Sequence, residues 1–424
     1  MKNHALITSL KNLRGNPRGC VYTEILWGLP FNLYAPYASI FMVALGLADR
    51  EIGLILSISW GFQLVLALLG GAVTDKLGRR RTTLIFDIVS WAVPALISAV
   101  AQNVAYFLVA GIVNSFWRIT HNSWTCLLVE DAEPDQLADV YTWIYIANLL
   151  VGFVTPLAGV LISTFSLVPT MRGLYLFATV MFTLKAVATY LMTEETAQGA
   201  IRLEETRNQS LFHVLTEYKG VLRELLRTPQ TLYTAGIMLV ISVSTLISSN
   251  FWGIIVTEKL HIPAEHIAVF SVVKSAIMLV FFFFVMPRFN KLHFRVPMVV
   301  GFIGFAASQV VLIATPDRGY FFLTLSVFLE ACSMAVVNPL VDQLTALSIS
   351  AEERARIHSL LYVGIILLTS PFGWAAGLLS EIDRALPFVL NMLLFAVGAA
   401  LAHVAGSRER ATVEVSENLA LETT

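Results

Sequence analysis

The chain has 424 residues, of which 57% are hydrophobic and only 13% charged, with a mean hydropathy of +0.73. Soluble chains carry about 25% charged residues, so this one cannot dress a surface in water, which excludes a soluble enzyme, a disordered scaffold and a nucleic-acid-binding domain. Its formal charge of −1 offers no basic field for a polyanion. The chain reads as a polytopic membrane protein.

A bilayer core about 30 Å thick needs about 20 mostly apolar residues per helix. Twelve such stretches follow in order, near 22–48, 51–74, 82–101, 104–128, 138–163, 171–193, 229–257, 264–287, 294–314, 319–347, 354–380 and 384–405. They are too long for buried strands and lack apolar/polar alternation, so a transmembrane barrel is not expected. The N-terminus carries no removable signal, since Lys2, Lys11, Arg14 and Arg18 precede a run of full span length. Cys20, Cys126 and Cys332 form neither a metal-ligand spacing nor a disulfide framework.

Lys and Arg in the loops set orientation. Twenty of the 28 bases lie in the even-numbered connections and tails, five in the odd-numbered connections, and Arg118, Lys185 and Lys274 inside spans. Both termini are therefore expected in the cytoplasm of a multi-pass cell-membrane protein. One loop, 129–139, carries Glu130, Asp131, Glu133, Asp135 and Asp139 with no base, and it asks for a positive partner on its own side.

Shifting the chain by 215 residues superposes Ile52 on Ile267, Lys76 on Lys291, Leu77 on Leu292, Arg80 on Arg295 and Pro156 on Pro371. The longest loop falls at the seam. The expected organisation is an N-terminal six-helix bundle over 1–193, a cytoplasmic linker over 194–228, a C-terminal six-helix bundle over 229–407 and a cytoplasmic tail over 408–424. Two halves that both start inside are parallel repeats. The linker mixes charges with Phe212, Val214, Leu215 and Leu222, which suits surface helices tethering the halves.

Between spans two and three stands Gly71-Ala72-Val73-Thr74-Asp75-Lys76-Leu77-Gly78-Arg79-Arg80-Arg81. It resembles the cytoplasmic signature of the major facilitator superfamily, G-x-x-x-D-[RK]-x-G-[RK]-[RK]-[RK], at every fixed position. The span count and central loop extend that resemblance over the whole chain. It implies an all-α membrane fold of twelve transmembrane helices in two six-helix bundles. Gly71 permits close helix approach and Gly78 a tight turn. Asp75 can accept from a neighbouring helix N-terminus, and the arginines offer planar donors to Glu130 and Asp131. The resemblance implies a conformational latch made of Gly71, Asp75, Gly78, Arg79, Arg80, Glu130 and Asp131. The second-half copy, Asn290 to Arg295, lacks both the acid and the glycine, so an asymmetric latch is expected.

The resemblance also implies that spans one, four, seven and ten line a central pathway. Span four places Asn114, Arg118, His121 and Thr125 on one stripe, flanked by Trp117, Asn122 and Trp124. Span seven offers Ser242, Thr245, Ser249 and Trp252, with Asn250 beside them, and span one offers Asn32, Pro36 and Ser39 with Tyr34 and Tyr37 adjoining. Span ten carries Glu330, Asn338, Asp342 and Thr345. The expected solute contacts are Asn32, Tyr37, Asn114, Trp117, Arg118, His121, Asn122, Asn250, Trp252 and Asn338. Ionisable groups at membrane depth are expensive and functional by default. Lys274, at a depth similar to Glu330, reads either as half of a structural ion pair or as a proton-coupling partner of Glu330 and Asp342. Lys185 is expected to be peripheral, snorkelling or stabilising packing. Asp87 is expected to pair with the basic loop.

Arg118 resembles the span-four arginine of proton antiporters in this superfamily, with His121-Asn122 where a Gln-Gly pair is usual. Span five, Gly152 to Val160, fits the drug-exporter signature G-x-x-x-G-P-x-x-G-G at Pro156 and Gly159, with Thr155 in place of the glycine before the proline and Val160 ending the match. No Gly-x-x-x-x-Gly-Lys-[Ser/Thr] loop is present. The expectation is a secondary active transporter working as a monomer, with neither cofactor nor metal. It would move a small polar organic solute, a sugar or glycoside, together with protons by rocker-switch alternating access. The rivals are a proton-coupled multidrug exporter of the same fold and a non-transporting membrane sensor.

Overall fold

The computed structural model describes residues 13–131, 137–206, 229–284, 295–347 and 354–422. Helical segments cover each of the twelve predicted spans in order, and no strand occurs among the described residues. Among the described residues, nine helices are individually long and apolar enough to cross a membrane, and spans one, four and five are not among them.

The interruptions have local causes. Span one comprises α1 (Gly15–Tyr34) and α2 (Ala38–Ala44), joined by a tighter turn over Ala35–Tyr37. Pro36 in that turn lacks the amide that would continue the α-helical ladder. α3 (Asp49–Leu77) and α4 (Arg79–Asp87) follow, then a π-turn over Ile88–Ala92 and α5 (Val93–Ala99). Span four divides into α6 (Val104–Asn114) and α7 (Trp117–Val129) at Ser115, whose hydroxyl donates to the Gly111 carbonyl and to the Ser59 carbonyl of α3. Span five divides into α8 (Leu137–Gly152) and α9 (Pro156–Phe165), with Pro156 starting the second piece. α10 (Leu167–Met192) and α11 (Ala197–Thr206) complete this series.

Further on come α12 (Pro229–Ile254), a π-turn over Ile255–Lys259, α13 (Ile267–Phe284), α14 (Arg295–Ile313), α15 (Tyr320–Leu347), α16 (Arg354–Ile382) and α17 (Leu386–Glu422). The apolar stretch of span twelve ends near Ala405, but α17 continues as helix to Glu422, where the sequence suggested a separate tail.

The chain forms two compact units. Unit 1 holds residues 1–217 with 263–272 and 373–378, and unit 2 holds 218–262, 273–372 and 379–424. In unit 1, α1 packs on α10 and α8, and α7 packs on α3 and α4. The segment 373–378 crosses α3 at glycines: a Cβ on Gly53 would collide with the Gly373 carbonyl and lie 2.8 Å from the Gly377 Cα. Only hydrogen at these positions allows that approach. The core of unit 2 gathers on Phe302, Met298, Val337 and Ala402, each less than 1% exposed, where α14 meets α15 and α17.

Candidate functional site

Four groups of polar side chains stand out against this apolar background. The first is the α7 stripe. Arg118 donates from Nε to Gln63 Oε1 at 3.0 Å, and its guanidinium lies 4.0 Å from the Trp117 ring centroid. His121 packs edge-on against Trp117 at 5.6 Å. His121 is exposed, with Arg118 and Asn122 half-buried beside it. A histidine, an arginine and an amide on one face are too costly to present to hydrocarbon, so this face of unit 1 calls for water.

The aromatic surroundings of the stripe extend further than span four suggests. Trp91, carried by the π-turn of span three, lies 6.5 Å from Trp117, 6.1 Å from Phe31 and 5.1 Å from Trp27. Trp27 and Phe31 stack at 4.8 Å one turn apart on α1. Four half-buried rings therefore run from α1 through the π-turn to α7. The sequence reading missed Trp27, Phe31, Trp91 and Gln63, because only tertiary packing joins three spans into one wall.

Several predicted solute contacts turn out to have structural engagements. Asn114 donates to the Ser90 carbonyl at 2.8 Å, holding the π-turn, and Asn32 donates to Gly28 O in its own helix. Tyr37 is fully buried, packed near Gly159, so its ring faces no cleft. In unit 2, Asn250 donates to Leu246 O at 2.8 Å, and Trp252 and Asn338 are half-buried.

The second group is the ion pair of unit 2. Lys274 of α13 donates from Nζ to Glu330 Oε1 of α15 at 2.8 Å, with the side chains 30% and 14% exposed. The juxtaposition anticipated from their similar depth is present. The side chain of Asp342 lies outside the described residues.

The third group surrounds the 75–81 loop. Gly78 adopts φ = +83°, a left-handed region open to glycine at no steric cost. Arg79 is 4% exposed; it reaches Asp75 at 2.9 Å and grips Glu130 through Nε at 3.1 Å. The helix N-terminus of α4 does not go to Asp75. Its first amides, from Arg79 and Arg80, donate instead to the Glu195 carboxylate at 2.8 and 3.2 Å. Arg80 donates to Tyr190 O and lies 3.9 Å over the Tyr190 ring, while Asp131 accepts from Asn16 at 3.3 Å. Gly71 lies open toward Asn122. Thus Glu195, at the head of the linker, joins the cluster around the 75–81 loop although the motif does not contain it. Glu133 and Asp135 lie outside the described residues, as do the side chain of Asp139 and the second-half motif before Arg295.

Burial pushes the Glu130 carboxyl up, but hydrogen bonds from Arg79 and Thr196 outweigh it and hold the group below its usual range. A depressed folded value means this contact stabilises fully above the unfolded value of about 4.3, and that the stabilisation is lost as pH falls through the folded value. Thermal melts of the wild type and Glu130→Gln should therefore differ most above about pH 5 and converge only once the pH has fallen through the depressed folded value. A gap that persists at low pH would contradict this.

The fourth group corrects two expectations. Lys185 is not peripheral: it is 5% exposed and pairs with Asp87, 3% exposed, at 2.5 Å. Asp87 accordingly does not pair with the basic loop; its other oxygen accepts from the Thr120 hydroxyl at 2.8 Å. The difference has a geometric origin, since about half a turn of rotation about α10 exchanges a lipid-facing lysine for an inward one. Glu24 of α1, 8% exposed, stands in the same region and was not among the predicted residues. An acid within span one was a readable signal under the rule already applied to Glu330.

The comparisons agree with this architecture. The family model described as Major Facilitator Superfamily matches residues 24–365. The structure resembles a crystal structure of the nucleoside transporter NupG with a TM-score of 0.68 at 12% identity, covering 95% of this chain and 99% of that one. It resembles a POT family transporter bound to a thioalcohol-conjugated peptide with a TM-score of 0.68 at 11% identity, covering 92% and 94% of the two chains. A bacterial homologue of the human lysosomal transporter Spinster, inward-facing and occupied, gives 0.65 at 13% identity, covering 92% and 96%. At such identities these likenesses establish the fold alone. No curated protein matches the sequence. With the signature loop and the helical units in place, the family model over most of the chain settles the matter: this integral membrane protein belongs to the Major Facilitator Superfamily of transporters.

Proposed function

We propose that the chain is a proton-coupled secondary transporter of a small polar organic solute, with a sugar or glycoside as the specific class. The solute is held near mid-membrane in the cell membrane, with both termini and the 75–81 loop on the cytoplasmic side. The observation that carries the reading is the Lys274–Glu330 pair at 2.8 Å on two different helices of unit 2. An ammonium and a carboxylate in a low-dielectric setting hold their helices together only while both are charged. A proton arriving on Glu330 cancels the attraction and frees α13 and α15 to shift, and its departure restores the grip. That is a chemical means of tying proton occupancy to a rocker-switch cycle. The α7 stripe supports the solute side of the reading: Arg118, His121 and Asn122 provide hydrogen bonds, and Trp117 provides a flat apolar surface.

Purified protein in sealed proteoliposomes tests this with radiolabelled mono- and disaccharides, glycosides, amino acids and nucleosides. An inward proton gradient should drive accumulation of one sugar-class solute. Glu330→Gln should abolish accumulation yet retain equilibrium exchange, while Arg118→Ala should weaken binding about 10-fold or more, as expected for a lost hydrogen bond to a charged group. Movement of no panel solute, or undiminished accumulation by Glu330→Gln, would overturn the proposal.

A further inference from the structure

One cluster of buried ionisable groups in unit 1 holds two acids against one base. Asp87 from α4, Lys185 from α10 and Glu24 from α1 are 3%, 5% and 8% exposed. Lys185 is committed to Asp87 Oδ2, and Thr120 of α7 donates to Asp87 Oδ1 at 2.8 Å, so both oxygens of Asp87 are served. Among the described side chains, Glu24 receives the Asn148 amide of α8, at 3.5 Å, which is long for an effective hydrogen bond. The charged groups within electrostatic reach of Glu24 are Lys185 and Asp87, and Cys20 one turn away is a further ionisable neighbour. Among the described side chains, the other helices packed on α1 contribute neutral groups here, Thr120 and Trp124 from α7 and Asn148 from α8; α9 holds no ionisable residue, and the side chains of Tyr141 and Tyr145 on α8 lie outside the described residues. Two carboxyls thus share one ammonium where water is scarce, and an unpaired buried carboxylate is expensive.

We infer that Glu24 is a proton-carrying site in unit 1, separate from the Lys274–Glu330 pair, with Lys185 as the counter-ion that its carboxylate shares with Asp87. In the described state Glu24 holds a proton and Lys185 pairs with Asp87. On release, the Glu24 O–H bond breaks, the proton passes to water and the bonding electrons remain on the carboxylate. Lys185 keeps its three protons and divides its attraction between the two acids. Glu24 is nine residues into α1 and Asp87 eight residues into α4, so the site lies roughly 12–14 Å from the end that carries the 75–81 loop. That depth is accessible to water only when this end of the bundle opens, which makes proton exchange conditional on conformation. A purely structural triad would need no surplus acid.

Infrared difference spectroscopy on the full-length protein in lipid nanodiscs, stepped through pH in H2O and D2O, reads the site without a solute. The wild type should show a pH-dependent carboxylic C=O band that shifts in D2O. Glu24→Gln should remove that component, Glu330→Gln should leave it, and Lys185→Met should displace its midpoint by at least about one pH unit. If Glu24→Gln does not fold, Glu24→Asp serves, and its band should titrate at a different midpoint. A wild type without such a band, a band that survives Glu24→Gln, or a Glu24→Asp midpoint equal to the wild type's would each overturn the inference. Since no transport is measured, these outcomes stand apart from the fate of Glu330 coupling.

Discussion

Replacing Lys185 with methionine is expected to destabilise unit 1 by about 3–5 kcal/mol, the cost of leaving a buried charge without its partner. The residue is 5% exposed and its ammonium bonds Asp87, itself 3% exposed. Methionine preserves most of the volume and apolar stem, so the loss isolates the charge. Asp87→Leu alone should cost a similar amount by stranding the lysine. The double variant Lys185→Met with Asp87→Leu should recover most of the deficit, because a buried ion pair replaced by apolar groups of similar size is often close to neutral. Thermal unfolding of the purified protein, followed by intrinsic tryptophan fluorescence, to which Trp124 at 5.8 Å from Lys185 Nζ contributes, measures all four species. Additive losses in the double variant would show that the two residues do not act as a pair.

Arg79→Ala is expected to have the next largest effect, on conformation as much as on stability. Arg79 joins Asp75 to Glu130 while its own backbone amide is held by Glu195. Its removal leaves two carboxylates facing each other, at a cost of about 2–3 kcal/mol once partial exposure of the acids is allowed for. Arg79→Lys should recover little, since an ammonium cannot reproduce a guanidinium fork across two acids. Cys126 supplies a reporter: it sits one turn before Glu130 and is partly exposed, whereas Cys20 is fully buried. With Cys332 replaced by serine, the rate of thiol labelling at Cys126 should rise at least several-fold in Arg79→Ala. Unchanged labelling would mean that this cluster does not hold the loop end closed. Glu195→Gln should give a smaller rise, because an amide oxygen still accepts from the α4 amides, but without the favourable charge at a helix N-terminus.

Legibility varied with the range of the physics involved. Gly78 illustrates the local end: a glycine at the turn of the signature loop predicted a left-handed residue, and φ is +83°. The Arg79–Glu130 contact was also readable, since an all-acidic segment on one side needs a base on the same side. Lys274 and Glu330 were brought together by depth alone, because two ionisable groups at one level of one bundle have few other partners. Lys185 shows the limit. Hydropathy places a residue along the membrane normal but says nothing about its rotation around the bundle, and that rotation decides between lipid and a buried acid. The breaks in spans one and five were marked by Pro36 and Pro156, whereas the break at Ser115 depends on a hydroxyl bond to another helix.

Class, the order of the helical segments and the signature loop are thus properties of the sequence alone. They follow from composition, stretch length and short-range turn chemistry, each of which acts within some twenty residues of chain. The pairing of Lys185 with Asp87, the surplus carboxyl of Glu24, the aromatic wall from Trp27 to Trp117 and the capture of the α4 N-terminus by Glu195 were decided only in three dimensions. Each joins residues that are distant in sequence, and which of them meet depends on how the helices rotate and cross. In a membrane that choice is made by packing and by the need to satisfy every buried polar group, and no single helix carries that information.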